Sequence, residues 1–316
     1  MTEIKTVYEH IRSNNIKTWI LVALFPLIFI ALIFLFTWCV APINQAIETT
    51  ATVGIPTVIL CLAWLGISWF FGDSMMLNMA GAHQIQPDTA ENKEIYRLVE
   101  NVALAAGLPV PRVYIIDDNS MNAFATGRSP KDASVALTRG IIKRLDKTEL
   151  QGVIAHEMAH IGNRDIRLDM MLITGVGVTV FLGDILMQHI RWGGAVNSSN
   201  DDNDNKNMGA ILIMVWLAFM VFNALIVPIL RMAVSRNREY GADATGAYIT
   251  RNPHALASAL KKISTDARVE KLDSAKSMAV MCIENPMEKR AFLGELFSTH
   301  PATEKRIKRL ETMSLK

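Results

Sequence analysis

Cysteine is scarce in this sequence. Only Cys39, Cys61 and Cys282 occur in 316 residues, and no two of them have Cys-x-x-Cys spacing. They give no disulfide framework, no sign of secretion and no thiolate metal site. An excess of one charge is also missing, since 32 Lys and Arg stand against 30 Asp and Glu. Nothing electrostatic therefore favours nucleic acid or an acidic partner. No internal repeat is found. The acidic run at residues 197–205 lacks the glycine and the terminal glutamate of an EF-hand loop. It reads as a solvated linker.

The most informative absence is local. Residues 18–41 and 51–72 contain no charge at all, and each exceeds the roughly 20 residues that cross a bilayer as a helix. Pro26 and Pro56 lie inside them, where membrane helices tolerate proline. A cleaved signal peptide needs a shorter apolar run than the first block offers. Trp38, before Cys39, is too large for a lipoprotein processing site. A third block, 170–190, is interrupted by Asp184 and His189, and a fourth, 209–230, has only Asn223 polar. An ionisable group at such depth faces protein or water, so the third block is the weaker span.

Lys and Arg set the expected orientation. Residues 1–17 carry Lys5, Arg12 and Lys17, the loop 42–50 carries none, and Arg164 and Arg167 precede the third block. The short loop 191–208 has only Arg191 and Lys206, diluted by Asp201, Asp202 and Asp204, whereas Arg231, Arg236 and Arg238 follow the fourth block. Both termini and both large polar segments, 73–167 and 231–316, are thus expected in the cytoplasm of a multi-pass plasma (inner) membrane protein, with 191–208 outside.

Segment 73–167 reads as mixed α and β. Residues 91–106 form a helix with Ile95, Leu98, Val99, Val102 and Ala106 on one face, ended by Gly107 and Pro109. Residues 110–116, 122–127 and 133–138 read as strands, with a turn at 117–120. Asp146 followed by Glu149 is a capping-box start. The helix it opens runs through Val153 and Met158 to Gly162, read as its C-cap. The tail after residue 231 reads as helical, with Pro253 and Pro301 at first helical positions.

On the capped helix lies His156-Glu157-Met158-Ala159-His160. Residues four apart share one helix face, so His156 and His160 can hold one ion, with Glu157 beside it as the proton carrier. Two solvated histidines on a surface helix are the plain alternative. A catalytic zinc needs a third protein ligand, and Glu239 and Asp243 are also four apart. Glu239 is assigned to the metal, and Asp243 to the free ring nitrogen of a ligand histidine. An ordinary charged face, with Arg236 and Arg238 paired to these acids, is the alternative. His10, His83, His189 and His254 have no partner pattern, and Met75, Met76 and Met79 read as interfacial packing rather than a copper site.

The set as a whole resembles the HtpX family of membrane zinc endopeptidases, related to the eukaryotic type I prenyl proteases. It comprises the paired N-terminal apolar blocks, Asn122-Ala123-Phe124-Ala125-Thr126-Gly127, residues 156–165 and 235–243, His300-Pro301 and Arg306-Ile307. The loop 191–208 is longer and more acidic than the family pattern. The resemblance implies a gluzincin-like α+β, mainly α peptidase assembled from two cytoplasmic segments. It implies one zinc per subunit on His156, His160 and Glu239, with Glu157 as base. It also implies ATP-independent cleavage of misfolded or membrane proteins. Asn122 and Ala123 resemble a substrate-aligning edge strand, or else a buried turn beside a core phenylalanine. His300 could donate to the oxyanion, or else cap the helix that Pro301 starts. Two other functions stay open: a dedicated processing protease for one membrane or lipidated substrate, and a catalytically silent membrane scaffold or holdase. The related prenyl proteases enclose a chamber with more spans, and four spans favour an open cleft.

Overall fold

A computed structural model describes residues 7–40, 42–192, 203–222, 224, 236–264 and 302–314. The chain divides into two compact units: residues 1–18, 70–171 and 232–316, and residues 19–69 and 172–231.

The second unit is helical. It takes its residues from α1 (Val7–Val40), α2 (Ile43–Thr49), a π-helical turn (Thr50–Gly54), α3 (Ile55–Met79), α7 (Asp165–Trp192) and α8 (Asn203–Val221). Trp64 Nε1 donates to the Thr174 carbonyl at 3.1 Å, and Trp19 stacks on Trp69. Large apolar side chains such as Trp19, Leu27, Ile59 and Leu60 point outward, a surface that water disfavours. Among the described residues one stretch, Val58–Met79, is long and apolar enough to cross a membrane by length and composition. Pro26–Leu35 and Leu212–Val221 are shorter apolar stretches. The apolar block 51–72 begins as the π-turn, and α3 continues to Met79, with Asp73 pairing with Arg112 at 2.6 Å.

The first unit holds a four-stranded sheet of order β1-β2-β4-β3. Its strands are β1 (Ala82–Gln84), β2 (Arg112–Ile116), β3 (Ala123–Thr126) and β4 (Ser134–Thr138). β2 and β4 are parallel, with Tyr114 opposite Ala136, and the two outer strands are antiparallel. The short strand β1 has no alternating apolar pattern and does not stand out in the sequence. The helix α4 (Ala90–Ala106) is capped by the Thr89 hydroxyl and closed by left-handed Gly107. It buries Ile95, Leu98, Val99, Val102 and Ala103, one turn-spaced face. A short α5 (Arg139–Arg144) follows β4.

Next comes α6 (Lys147–Gly162), opened by the full capping box of Asp146 and Glu149. Its end differs from the sequence reading. Gly162 is the last helical residue rather than the cap, Asn163 caps in a right-handed conformation, and the left-handed residue is Arg164 at φ 59°. The chain thus turns within two residues and starts α7 at Asp165, back beside α6. The tail supplies α9 (Arg236–Thr250), α10 (Pro253–Ile263) and α11 (Thr303–Glu311). Pro253 opens α10 behind an Asn252 cap. Cys282, His300 and Pro301 lie outside the described residues.

One core joins these parts. Val99, Val135, Leu137, Val153, Ile154, Met158, Leu256, Leu260 and Leu310 are all within it, so the two polar segments of the sequence fold as one body. Met76 also belongs to the interior, where its sulfur faces the Thr126 hydroxyl, rather than to an interfacial belt.

Candidate metal centre

The histidine pair sits near the C-terminal end of α6, on the side that meets α9. Contact there is unusually close. A Cβ on Gly246 would lie 3.0 Å from the His156 nitrogen and 3.1 Å from its Cα. Only glycine allows α9 that approach without displacement, and Asp243 and Glu239 stand one and two turns earlier on the same helix.

Three side chains converge as a result. His156 Nε2 is 3.2 Å from His160 Nε2 and 3.7 Å from Glu239 Oε2. His160 Nε2 is 3.6 Å from Glu239 Oε1. Ligands about 2.0–2.1 Å from a tetrahedral ion lie about 3.3–3.4 Å apart, so the two nitrogens stand near zinc spacing and each has one Glu239 oxygen slightly farther away. These three residues are the cluster among the described residues whose donor atoms can share a metal, all within 4.8 Å.

The outer nitrogens explain why the inner ones converge. His156 Nδ1 lies 2.9 Å from Asp243 Oδ1, and His160 Nδ1 lies 2.8 Å from Asp165 Oδ2. At His160 the carboxylate keeps the proton on Nδ1 and leaves the Nε2 lone pair pointing inward; at His156 Asp243 stands at ion-pair distance without hydrogen-bond geometry, with Nε2 again facing His160. Two such lone pairs 3.2 Å apart repel unless a cation lies between them. A proton is the competing cation. Burial alone would lower the His160 imidazole, but Asp165, Glu239 and Glu157 outweigh it and raise its pKa to about 9.

In the sequence Arg306 stands out only as part of the family resemblance, yet its place here is central. Its guanidinium is fully buried and binds Asp243 in a two-pronged manner, Nε to Oδ2 at 2.9 Å and Nη2 to Oδ1 at 2.8 Å. It also approaches His156 Nε2 and Glu239 Oε2, each at 3.5 Å. Burial opposes ionisation of Asp243, yet Arg306 and His156 lower its pKa to about 2. Asp165 likewise stays below its ordinary value: burial pushes up, while Arg238 and His160 pull down more strongly. Asp165 was not singled out in the sequence. Its signal was there, a carboxylate five residues after His160, but only the turn at Arg164 brings it back. Glu157 is 2% exposed, and burial raises its carboxyl pKa above the ordinary range. Such a shift suits a group that must accept a proton and later return it.

Arg238 pairs with Asp165 and Asp169, while the Arg236 side chain lies outside the described residues. Asn122 and Ala123 stand at the start of β3, an edge of the sheet against which α6 packs. Both are buried, and the Ala123 amide donates to Asn122 Oδ1 at 2.9 Å.

A buried glutamate on the same helix as two converging imidazoles, with a carboxylate from a separate helix completing the cluster, is the arrangement of a metallopeptidase. Comparison with known proteins agrees. The model of peptidase family M48 matches residues 89–314. The chain is 40% identical over 311 residues to the protein called Protease HtpX homolog of Caldanaerobacter subterraneus subsp. tengcongensis, covering 98% of this chain and 99% of that one. It is 38% identical to the protein of the same name from Lactobacillus helveticus, over 97% of this chain and 100% of that one. A crystal structure of S. mikatae Ste24p aligns over 87% of this chain and 66% of that chain, at 17% identity and a TM-score of 0.44. The chain belongs to peptidase family M48, among the HtpX proteases.

Proposed function

We propose that this metallopeptidase is a zinc-dependent endopeptidase of the plasma (inner) membrane, multi-pass, with both termini and the active site cytoplasmic. It hydrolyses peptide bonds of misfolded or membrane proteins, as a quality-control enzyme. The observation that carries the proposal is the triangle of His156 Nε2, His160 Nε2 and Glu239 beside buried Glu157. The membrane reading is supported by Val58–Met79 and by the outward apolar side chains of the helical unit. The four-span topology and its orientation rest on the distribution of Lys and Arg. The class of substrate rests on the family resemblance.

His156, His160 and Glu239 would hold one ion, two imidazoles and a carboxylate being a donor set suited to zinc. Zinc, when bound, supplies Lewis acidity that brings the pKa of a water toward about 7 and polarises the scissile carbonyl. Glu157 accepts the proton of the attacking water and passes it to the leaving amine nitrogen. Asp243 and Asp165 hold the two imidazoles with their lone pairs inward. Arg306 balances Asp243, so that the buried carboxylate stays ionised. β3 is an edge strand, and an extended peptide pairing there by strand addition, which gives affinity with little sequence preference, would first have to uncover Asn122 and Ala123 and displace the bond from the Ala123 amide to Asn122 Oδ1. His300 is the proposed oxyanion donor.

Hydrolysis of casein in detergent, before and after chelation and zinc return, tests the proposal. Zinc-restored cleavage by the parent and none by Glu157→Gln is the expected result. Cleavage that survives complete metal removal would overturn it.

A further inference from the structure

A second charged cluster adjoins the metal centre and contributes no ligand to it. Asp165 and Asp169 stand one turn apart at the head of α7, on one face by helical spacing. Arg238, one residue before the ligand Glu239, reaches both. Its Nη2 lies 2.8 Å and 3.1 Å from the two oxygens of Asp169, and its Nη1 lies 3.4 Å from Asp165 Oδ1. The other oxygen of Asp165 meets His160 Nδ1 at 2.8 Å. All of these groups are largely shielded from solvent: Asp165 side chain 1% exposed, Arg238 and Asp169 11% each.

The distances rank the partners. Arg238 is tightly engaged by Asp169 and only loosely by Asp165, which leaves Asp165 committed to His160. In a dry interior a guanidinium does not stay half-paired. With Asp169 neutralised, Asp165 is the carboxylate already in contact with Arg238, and drawing it in to normal hydrogen-bond length moves it off His160. The imidazole then loses the acceptor that fixes its Nδ1 proton and its ring plane. Arg238 also stands next to Glu239 in the chain, so the same clasp ties the helix of the third ligand to the helix of the first two through the head of α7.

We propose that Arg238 and Asp169 are positioning residues for the metal: they hold Asp165 on His160 and thereby set zinc affinity without touching the ion. This inference rests on the zinc-site reading above. It makes Asp169, the last polar residue before the apolar block 170–190, a determinant of metal loading.

The test uses the full chain in detergent, with Asp169→Asn, Asp169→Glu and Arg238→Lys beside the parent. Zinc affinity is read by competition with a chromophoric chelator, ligand geometry by the visible spectrum of the cobalt(II) form, and apo-protein stability by thermal unfolding. Asp169→Asn and Arg238→Lys should weaken zinc binding roughly 10- to 100-fold, the range for partners of metal-ligating histidines, and should shift the cobalt bands. Asp169→Glu, which keeps the charge, should lose less. Parent-like zinc affinity in Asp169→Asn would overturn the proposal. So would unchanged cobalt bands with affinity falling only as far as apo stability does. If Asp169→Asn no longer unfolds cooperatively, Arg238→Lys is read by the same two criteria. A parent chain that takes up no zinc would overturn the site reading itself, a result distinct from these.

Discussion

At the scale of single residues, the centre is a chain of charges in which each buried group answers another. Arg306, Asp243, His156, His160, Asp165 and Arg238 follow one another through it as cation, anion, two imidazoles, anion and cation. Breaking one buried pair by removing a partner costs about 3–5 kcal/mol, because the other charge is left behind. Asp243→Ala should therefore destabilise the fold on that order and weaken zinc binding about 10- to 100-fold. Adding Arg306→Met should recover much of the stability but not the affinity, which denaturant unfolding and chelator competition would separate. A full recovery of affinity in the double variant would show that Asp243 does not act through His156. Proton linkage gives a second expectation. With its pKa raised to about 9, His160 is protonated at neutral pH in the metal-free protein. Zinc must displace that proton, so affinity should rise with pH up to about 9 and level off above it. Calorimetry at pH 7 in buffers of different ionisation enthalpy should register about one proton released per zinc.

At the scale of elements, two contacts decide whether the ligands meet. The crossing of α9 over α6 depends on Gly246, where a Cβ would have to push against the His156 backbone. Gly246→Val should move the helices apart, so zinc affinity should fall more than in Gly241→Val on the same helix, where a Cβ meets nothing within 4 Å. Equal effects would mean that the close approach is not what aligns Glu239. The other contact fixes the start of α6. Glu149 closes the capping box and also takes Lys262 at 2.6 Å and Ser258 at 2.7 Å from α10. Burial opposes its ionisation, but these partners hold its pKa below the usual value. A depressed folded pKa contributes stability above the unfolded value, about 4.3, and loses it as the pH falls through the folded value. Glu149→Gln should thus be less stable than the parent at pH 7 and nearly equal to it at pH 2, by urea unfolding at each pH.

At the scale of the whole molecule, two polar segments separated by residues 168–230 share one core. Neither should fold alone, because α6 buries its face against α10 and α9 from the other segment. The proposed topology is tested by accessibility. A cysteine introduced at Ser199 in a Cys-free parent should react with a membrane-impermeant maleimide in intact cells, and one at Lys93 should react only after lysis. Reaction at Lys93 in intact cells would reverse the orientation. Carbonate washing should leave the chain in the membrane fraction.

The amino-acid sequence by itself determined α6 and the placement of the candidate ligands on it. Local rules suffice there: a capping box starts the helix, a spacing of four puts His156 and His160 on one face, and Glu157 follows by one position. It determined α4 and its buried face in the same way, and it pointed to Glu239 and Asp243 by their shared spacing. The rest was decided only by tertiary structure. That Asp165 serves His160 depends on a left-handed turn at Arg164, which no pattern of apolar residues encodes. That Arg306 neutralises Asp243 depends on packing between residues 63 apart in the chain. That Arg238 belongs to Asp169 rather than to its neighbours on α9 depends on where α7 begins. The physical reason is common to all three: a buried charge chooses its partner by proximity in the folded interior, and sequence spacing gives proximity only within one element.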